Sequence, residues 1–394
     1  MAPGPSVPAE LLDRAAALAE ALAPLAADVD SGASDGTASL KLLKDAGLLR
    51  LLVPADAGGD GLSFAQYTRI LEILGARDTA TALALNMHNV SVGALCEAAG
   101  GRLGTAGRSF ADWVFREITD HDRMFASATS EAGTGAKLRG VRTTYRRSDD
   151  GYVLDGRKSF VSLAGVADYY VVAARDADED AENEVSHFVV AAEDEGVSFG
   201  SPWPGQALAG THTADMTLDH VRVGRERLFL GVEGMSLFKL VREPHWMVSG
   251  YTGAYLGLAG AILRELTEGV RSSPARAASP MAVRELGRLS TRLTAARALT
   301  HTACDEVDAA RGTPRANAGV HAAKYAVGEL LADLTASASQ LAGTAALDRR
   351  RPLHRYLREA PFCSVMPAKP DECLEYIGKT ALGVNLADAR AFDW

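Results

Sequence analysis

The chain has 394 residues, a formal net charge of −9 and 47% hydrophobic residues, enough for a substantial core in two or three domains. With 23% charged residues and no basic block or stripe, it does not read as a nucleic-acid binder. Cys96, Cys304, Cys363 and Cys373 are widely spaced with no C-x-x-C pair, so reduced thiols are expected and no metal site is.

The opening Met1-Ala2-Pro3-Gly4-Pro5-Ser6 has no basic segment leading into an apolar run, so no signal peptide is read and a cytoplasmic protein is expected. Helical spacing of apolar residues then predicts helices over 11–27, 40–49, 64–75 and 80–99, with a loop at Gly58-Gly59-Asp60-Gly61-Leu62. From about residue 123 the period changes to two. Strands are expected over 151–156, 169–174, 187–192 and 216–223, with a hairpin turning near Asp149-Asp150-Gly151. The acidic run Asp176 to Glu184 reads as a solvated loop tip.

Helical patterns return over 237–266, 279–310, 316–341 and 353–359, and prolines at 352, 361, 367 and 370 punctuate the last stretch. Residues 246–263 carry no charge, but their Gly, Ser, Thr and Tyr content fits a buried bundle helix better than a membrane span. Strands never alternate with helices, which argues against a Rossmann or barrel fold. The organisation is α+β: a helical domain over 1–122, a β-domain over 123–232 and a four-helix bundle over 233–394.

The segment from Phe125 to Ser162 carries most of the functional information. It places a small-residue strand before the turn Glu131-Ala132-Gly133-Thr134-Gly135, and a hydroxyl-bearing strand at Ser159-Phe160-Val161-Ser162. Glycines allow close backbone approach to a flat or charged ligand, and Ser and Thr hydroxyls can bond a heteroaromatic rim. Ser130-Glu131-Ala132-Gly133-Thr134-Gly135 resembles the T-E-P-G-A-G element of the acyl-CoA dehydrogenase superfamily, and Phe160-Val161-Ser162 resembles its W-I-T element.

Leu43 to Pro54, the Gly58 to Leu62 loop and Glu72-Ile73-Leu74-Gly75 resemble that family's N-terminal signature. Gln340-Leu341-Ala342-Gly343-Thr344 resembles its Q-x-x-G-G turn. The resemblance implies FAD, with FMN as the smaller alternative. Ser130, Glu131, Gly133, Thr134, Gly135, Phe160 and Ser162 would lie at the flavin, and Arg271, Gln340 and Gly343 at the diphosphate across a subunit boundary. It further implies a homodimer or homotetramer, an acyl substrate free or tethered to a carrier, and an electron-transfer protein or flavin reductase as partner. Met247, Pro367, Ala136 and His212 would border the substrate.

The chain departs from the family at the catalytic base. Counting from Arg358-Glu359-Ala360, which matches R-D-A, puts Pro367 at the usual Glu position. Aligning on Gly253 to Leu258 puts Met247 at the alternative one, and Ala209 stands where a family Arg is expected. Two enzymatic readings follow. In one, desaturation of a specialised acyl thioester uses a displaced base: Glu243, about one turn before Met247, or Asp371, Glu372 or Glu375. In the other, the fold serves as a reduced-flavin monooxygenase with C4a-hydroperoxide chemistry, and His88 supplies a protonatable imidazole; His212 and His245 are weaker candidates. A non-catalytic flavin-binding scaffold is the third reading.

Overall fold

The computed structural model describes residues 6–177 and 185–393. Five helices come first: α1 (Ala9–Ser31), α2 (Thr37–Asp45), α3 (Phe64–Gly75), α4 (Thr79–Ala99) and α5 (Thr105–Thr119). A seven-stranded sheet follows: β1 (Phe125–Ala128), β2 (Thr144–Ser148), β3 (Gly151–Val161), β4 (Tyr169–Asp176), β5 (Val185–Ala191), β6 (Val197–Phe199) and β7 (Ala214–Gly224). The remainder is helical: α6 (Ser236–Arg242), α7 (His245–Val248), α8 (Thr252–Arg271), α9 (Pro274–Ala277), α10 (Pro280–Ala310), α11 (Pro314–Ala342), α12 (Pro352–Glu359), α13 (Phe362–Val365) and α14 (Pro370–Ala381). No helix among the described residues is long and apolar enough to cross a membrane.

The sheet runs β1-β4-β2-β3-β7-β6 with β5 on the other edge of β4, and β4 pairs in parallel with both β1 and β2. The hairpin expected near Asp149 joins β2 to β3, with Ser148 opposite Gly151. Register puts Ser127 of β1 beside Val171 of β4, and Ala173 of β4 beside His187 of β5. Side chains alternate across a strand, so Ser127, Val171 and His187 share one face.

The helices begin where their capping chemistry says they should. Ser63 and Gln66 form a capping box on α3, Asp78 accepts from Thr81 N–H on α4, and Ser279 and Thr313 cap α10 and α11 with proline in the first turn. Proline also opens α12 and α14, so Pro352 and Pro370 start helices rather than interrupt one.

The continuous helix expected over 237–266 is three pieces. Pro244 lacks the N–H that an uninterrupted helix needs and separates α6 from α7, and Gly250 lies in the break before α8. A Cβ on Gly250 would crowd the Asn86 side chain, and one on Gly257 would run into the Glu72 carbonyl. Glycine therefore sits where α8 rests backbone-to-backbone on the N-terminal helices. The acidic-loop expectation needs correcting at its first residue: Asp176 is buried at the end of β4 and accepts from Arg147 at 2.6 Å. Residues 178–184 lie outside the described residues.

Candidate active site

A cleft enclosing about 780 Å³ of free space, its open mouth included, lies between α4, the sheet face defined above and α6–α7. Val90, Ser91 and Ala94 of α4 form one wall, and Ser127, Thr129, Val171 and His187 form the sheet wall. Ser236, Lys239, Leu240 and Glu243 close the third side. Their spacing of i, i+3, i+4 and i+7 is one helical stripe. Met247 and Trp246 of α7 complete it, so Glu243 and Met247 share a wall.

Glu243 is the C-cap of α6 and directly precedes Pro244, the N-cap of α7. Arg311 Nε approaches its carboxylate at 3.6 Å. Behind it, His245 Nε2 meets both oxygens of Glu97 at 3.0 and 3.2 Å, and Arg311 lies 3.4 Å from the same carboxylate. Burial raises the Glu97 pKa, but His245 and Arg311 outweigh it and hold the group below the usual carboxylate range. His245 is thereby a partner of Glu97 rather than a free acid–base group.

His88 is a core residue, a correction to the role expected for it. Phe125 N–H donates to Nδ1 at 3.0 Å, which places the ring proton on Nε2, and Nε2 donates to the Leu49 carbonyl at 3.0 Å. Both nitrogens are occupied, the ring is fully buried, and burial pushes its pKa down to about 4. His187, which the sequence reading passed over, does line the cleft. Its Nδ1 is 2.5 Å from Ser236 Oγ, and burial with Lys158 and Lys239 nearby lowers its pKa to about 4. The only sequence signal for it was its alternation with buried strand neighbours, which becomes informative once the register is known.

Beside the cleft, the 131–135 turn is closed by paired backbone bonds between Glu131 and Gly135. Gly133 and Gly135 have φ of 88° and 62°, and a Cβ on Gly135 would meet nothing within 4 Å. Thr134 Oγ1 is buried without a partner among the described residues. The Glu131 side chain is spent within the protein itself. Its carboxylate accepts from Lys158 Nζ at 2.7 Å, Thr143 Oγ1 at 2.7 Å, Arg142 N–H at 2.7 Å and Thr143 N–H at 3.0 Å. Burial raises its pKa, but Lys158 and these donors keep it ionised.

On the neighbouring strand, a bulge between Lys158 and Val161 turns Phe160 outward with φ of 55°. Phe160 is 60% exposed and meets the edge of Trp203, which is 43% exposed and contacts Phe362 in turn. Ser162 Oγ lies 3.2 Å from Thr213 Oγ1, itself 2.8 Å from Thr211 Oγ1. Leu163, Leu208 and His212 also take positive φ in the same pair of loops. Left-handed backbone at four non-glycine residues is the kind of strain that clusters at ligand sites.

Exposed aromatics, open glycines and an orphaned hydroxyl together fit a flat heteroaromatic ligand. Ser130 is half-buried beside them, its carbonyl accepting from Ser159 N–H at 2.8 Å.

Four other expected residues lie elsewhere. His212 packs against Gly36 near Asp35, and Pro367 lies between α13 and α14; neither they nor Ala136 belongs to the cleft wall. Arg271 is exposed at the end of α8 and pairs with Glu268. The arginine over the Gln340–Gly343 turn is Arg276: its Nε donates to the Gly269 carbonyl at 3.1 Å, and its guanidinium lies against Gly343. Arg276 lies in the short helix α9, five residues beyond Arg271. Arg358 of the R-E-A motif reaches Asp30 and the Gln206 carbonyl, each at 2.5 Å, tying the bundle to α1 and the β-domain.

Comparison with known proteins agrees with this architecture. Residues 9–101, 126–221 and 250–366 match the N-terminal, middle and C-terminal domains of acyl-CoA dehydrogenases. The chain belongs to the acyl-CoA dehydrogenase family. It is 29% identical to cyclohexane-1-carbonyl-CoA dehydrogenase of Geobacter metallireducens over 354 residues, covering 88% of this chain and 89% of that protein. It is 28% identical to the amino sugar nitrososynthase DnmZ of Streptomyces peucetius over 356 residues, covering 86% and 85%. Among solved structures, KijD3 in complex with FMN and a dTDP-linked amino keto sugar superposes with a TM-score of 0.85 at 24% identity, over 97% of this chain and 95% of that one.

Proposed function

We propose that this protein is a flavin-dependent oxidoreductase that removes hydrogen from a substrate held in the α4–sheet–α6 cleft, with Glu243 as the proton acceptor. The observation that carries this reading is the position of Glu243 in the cleft wall shared with Met247, four residues before the position where some family members keep their base. The chemistry that FAD, or FMN, would supply is acceptance of a hydride equivalent.

The cradle residues would hold it: Phe160 and Trp203 against its flat face, Thr134, Ser130 and Ser162 at its polar rim, and Arg276 with the Gln340–Gly343 turn at the phosphates of FAD from a second subunit. Glu243 would take the proton from the carbon next to a carbonyl as the neighbouring C–H bond breaks and a C=C bond forms. Arg311, 3.6 Å away, would steady that carboxylate at the cleft wall.

A second reading, oxygen insertion fed by a flavin reductase, is favoured by the absence of a carboxylate at both Met247 and Pro367 and by the likeness to a nitrososynthase. His88 cannot serve it as an acid, because both its nitrogens are engaged.

The test is exchange of α-deuterium from an acyl thioester such as cyclohexanecarbonyl-CoA by the flavin-loaded protein. Glu243→Gln should lower exchange by about 10²–10⁴-fold with the flavin spectrum unchanged. Exchange that survives this substitution would remove Glu243 from the reaction. Reductase-dependent oxygen uptake without exchange would establish the oxygenase reading, and neither activity, with flavin retained, would leave the scaffold.

A further inference from the structure

Helix α6 buries Leu237 and Val241 against the core and turns a second, polar stripe toward the cleft. Ser236, Lys239 and Glu243 all face inward, while Phe238 of the same helix is 53% exposed. The three are not equivalent. Ser236 is bound to His187, and Glu243 has Arg311 beside it. Among the described residues Lys239 Nζ donates to one group, the Ala94 carbonyl at 2.6 Å, although an ammonium carries three donors. It makes no ion pair within 4 Å among the described residues, because Glu97 is engaged by His245 and Arg311. Burial lowers the Lys239 pKa against the pull of Glu243 and Glu97, as befits a partly desolvated cation. A desolvated ammonium with spare donors gains most from an oxygen acceptor, above all a charged one.

Resting on the reading of this cleft as the substrate chamber, we propose that it receives a substrate whose inner end carries a carboxylate or carbonyl oxygen, bound by Lys239 with His187 alongside, in place of an unbroken aliphatic chain. The sheet wall complements this. His187, whose Nδ1 lies 2.5 Å from Ser236 Oγ, adds a polar imidazole to that wall. Ser127 and Thr129, whose hydroxyls are 3.4 Å apart, continue the polar surface toward the ligand cradle. Val90, Ala94 and Leu240 leave room for an apolar body between the two ends. The cleft thus selects for an oxygen-bearing distal group, which sets this chain apart from a protein built to take a plain alkyl tail.

The test is calorimetric titration of the flavin-loaded protein with three probes of one shape: cyclohexanecarboxylate, cyclohexyl methyl ketone and cyclohexylmethylamine. The carboxylate should bind about tenfold or more tightly than the amine, the scale of one charge-assisted hydrogen bond, with the ketone between them. Lys239→Met should abolish the carboxylate's advantage, and Lys239→Gln should keep the ketone's affinity while losing the carboxylate's. Equal or undetectable binding of all three probes, a preference for the amine, or unchanged carboxylate affinity in Lys239→Met would overturn the proposal. The wild-type ranking decides the matter even if a variant does not fold. Flavin absorbance recorded on the same samples keeps the two readings apart: lost selectivity with flavin retained removes only the role of Lys239, whereas protein that binds no flavin removes the oxidoreductase reading itself.

Discussion

The turn at Glu131 and the helix ending at Glu243 use their carboxylates in opposite ways. Glu131 is buried and accepts four hydrogen bonds, so its charge is spent holding β3 to the loop before β2. Glu243 has one arginine at 3.6 Å and an open cleft in front of it. The two histidines repeat the contrast: His88 is consumed by backbone on both sides, while His187 keeps a face toward the cleft. A group whose bonding capacity is filled by the fold supports a site; one left partly unfilled beside a cavity can act in it.

Acidification should break the buried half of this comparison most severely. His88 and His321, the latter buried in α11 and stacked on Tyr376, are neutral when folded down to a pH of about 4, because burial disfavours their charged forms. In the unfolded chain they titrate near pH ~6.5. Between those values the unfolded state binds more protons, so stability is intact above pH ~6.5 and is lost as pH falls toward 4, at up to ~1.4 kcal/mol per pH unit for each ring. Urea midpoints measured across this window should fall steadily. A flat profile from pH 6.5 to 4.5 would mean that the rings are not buried as described.

Glu131→Ala comes next. Removing it strands the fully buried Lys158 ammonium, a loss of about 3–5 kcal/mol. Chemical denaturation should show that loss, and Glu131→Gln should fall in between. Equal stability of Glu131→Ala and the parent would return Glu131 to a ligand role.

Moving the base sharpens the Glu243 side. Met247 lines the same wall, so Met247→Glu in a Glu243→Gln background should recover α-deuterium exchange by about tenfold or more if position, and not residue number, is what the chemistry needs. No recovery would argue that the reacting carbon sits out of reach of α7. The smallest effect is at the cradle. Ser162→Ala removes one hydroxyl from the Ser162–Thr213–Thr211 chain and should raise the flavin dissociation constant up to about tenfold, read by ultrafiltration and absorbance. An unchanged constant would take Ser162 away from the flavin rim.

Much of this molecule was legible in the sequence because it depends on local chemistry. Periodicity and capping residues placed α3, α4, α10 and α11 within a few residues, and the Asp149-Asp150 turn fixed the β2–β3 hairpin. The glycine turn at 131–135 and the hydroxyl at Ser162 could be picked out for the same reason, since positive φ and short polar side chains leave a mark on composition. The break of α6–α8 was harder to read, because the uncharged run over 246–263 suggests one helix running through Gly250.

What only the tertiary structure decided is which polar groups are already satisfied. Sequence marked His88 and Glu131 as chemistry-bearing, and the fold closes both with partners 11 to 39 residues away. Sequence passed over His187, Lys239 and Arg276, and register, helix facing and the short helix α9 bring them to the cleft or to the Gly343 turn. Local propensity sets elements through neighbours in the chain. A hydrogen-bond donor or acceptor is filled or left open by whatever the fold carries to it, and that is fixed by long-range packing.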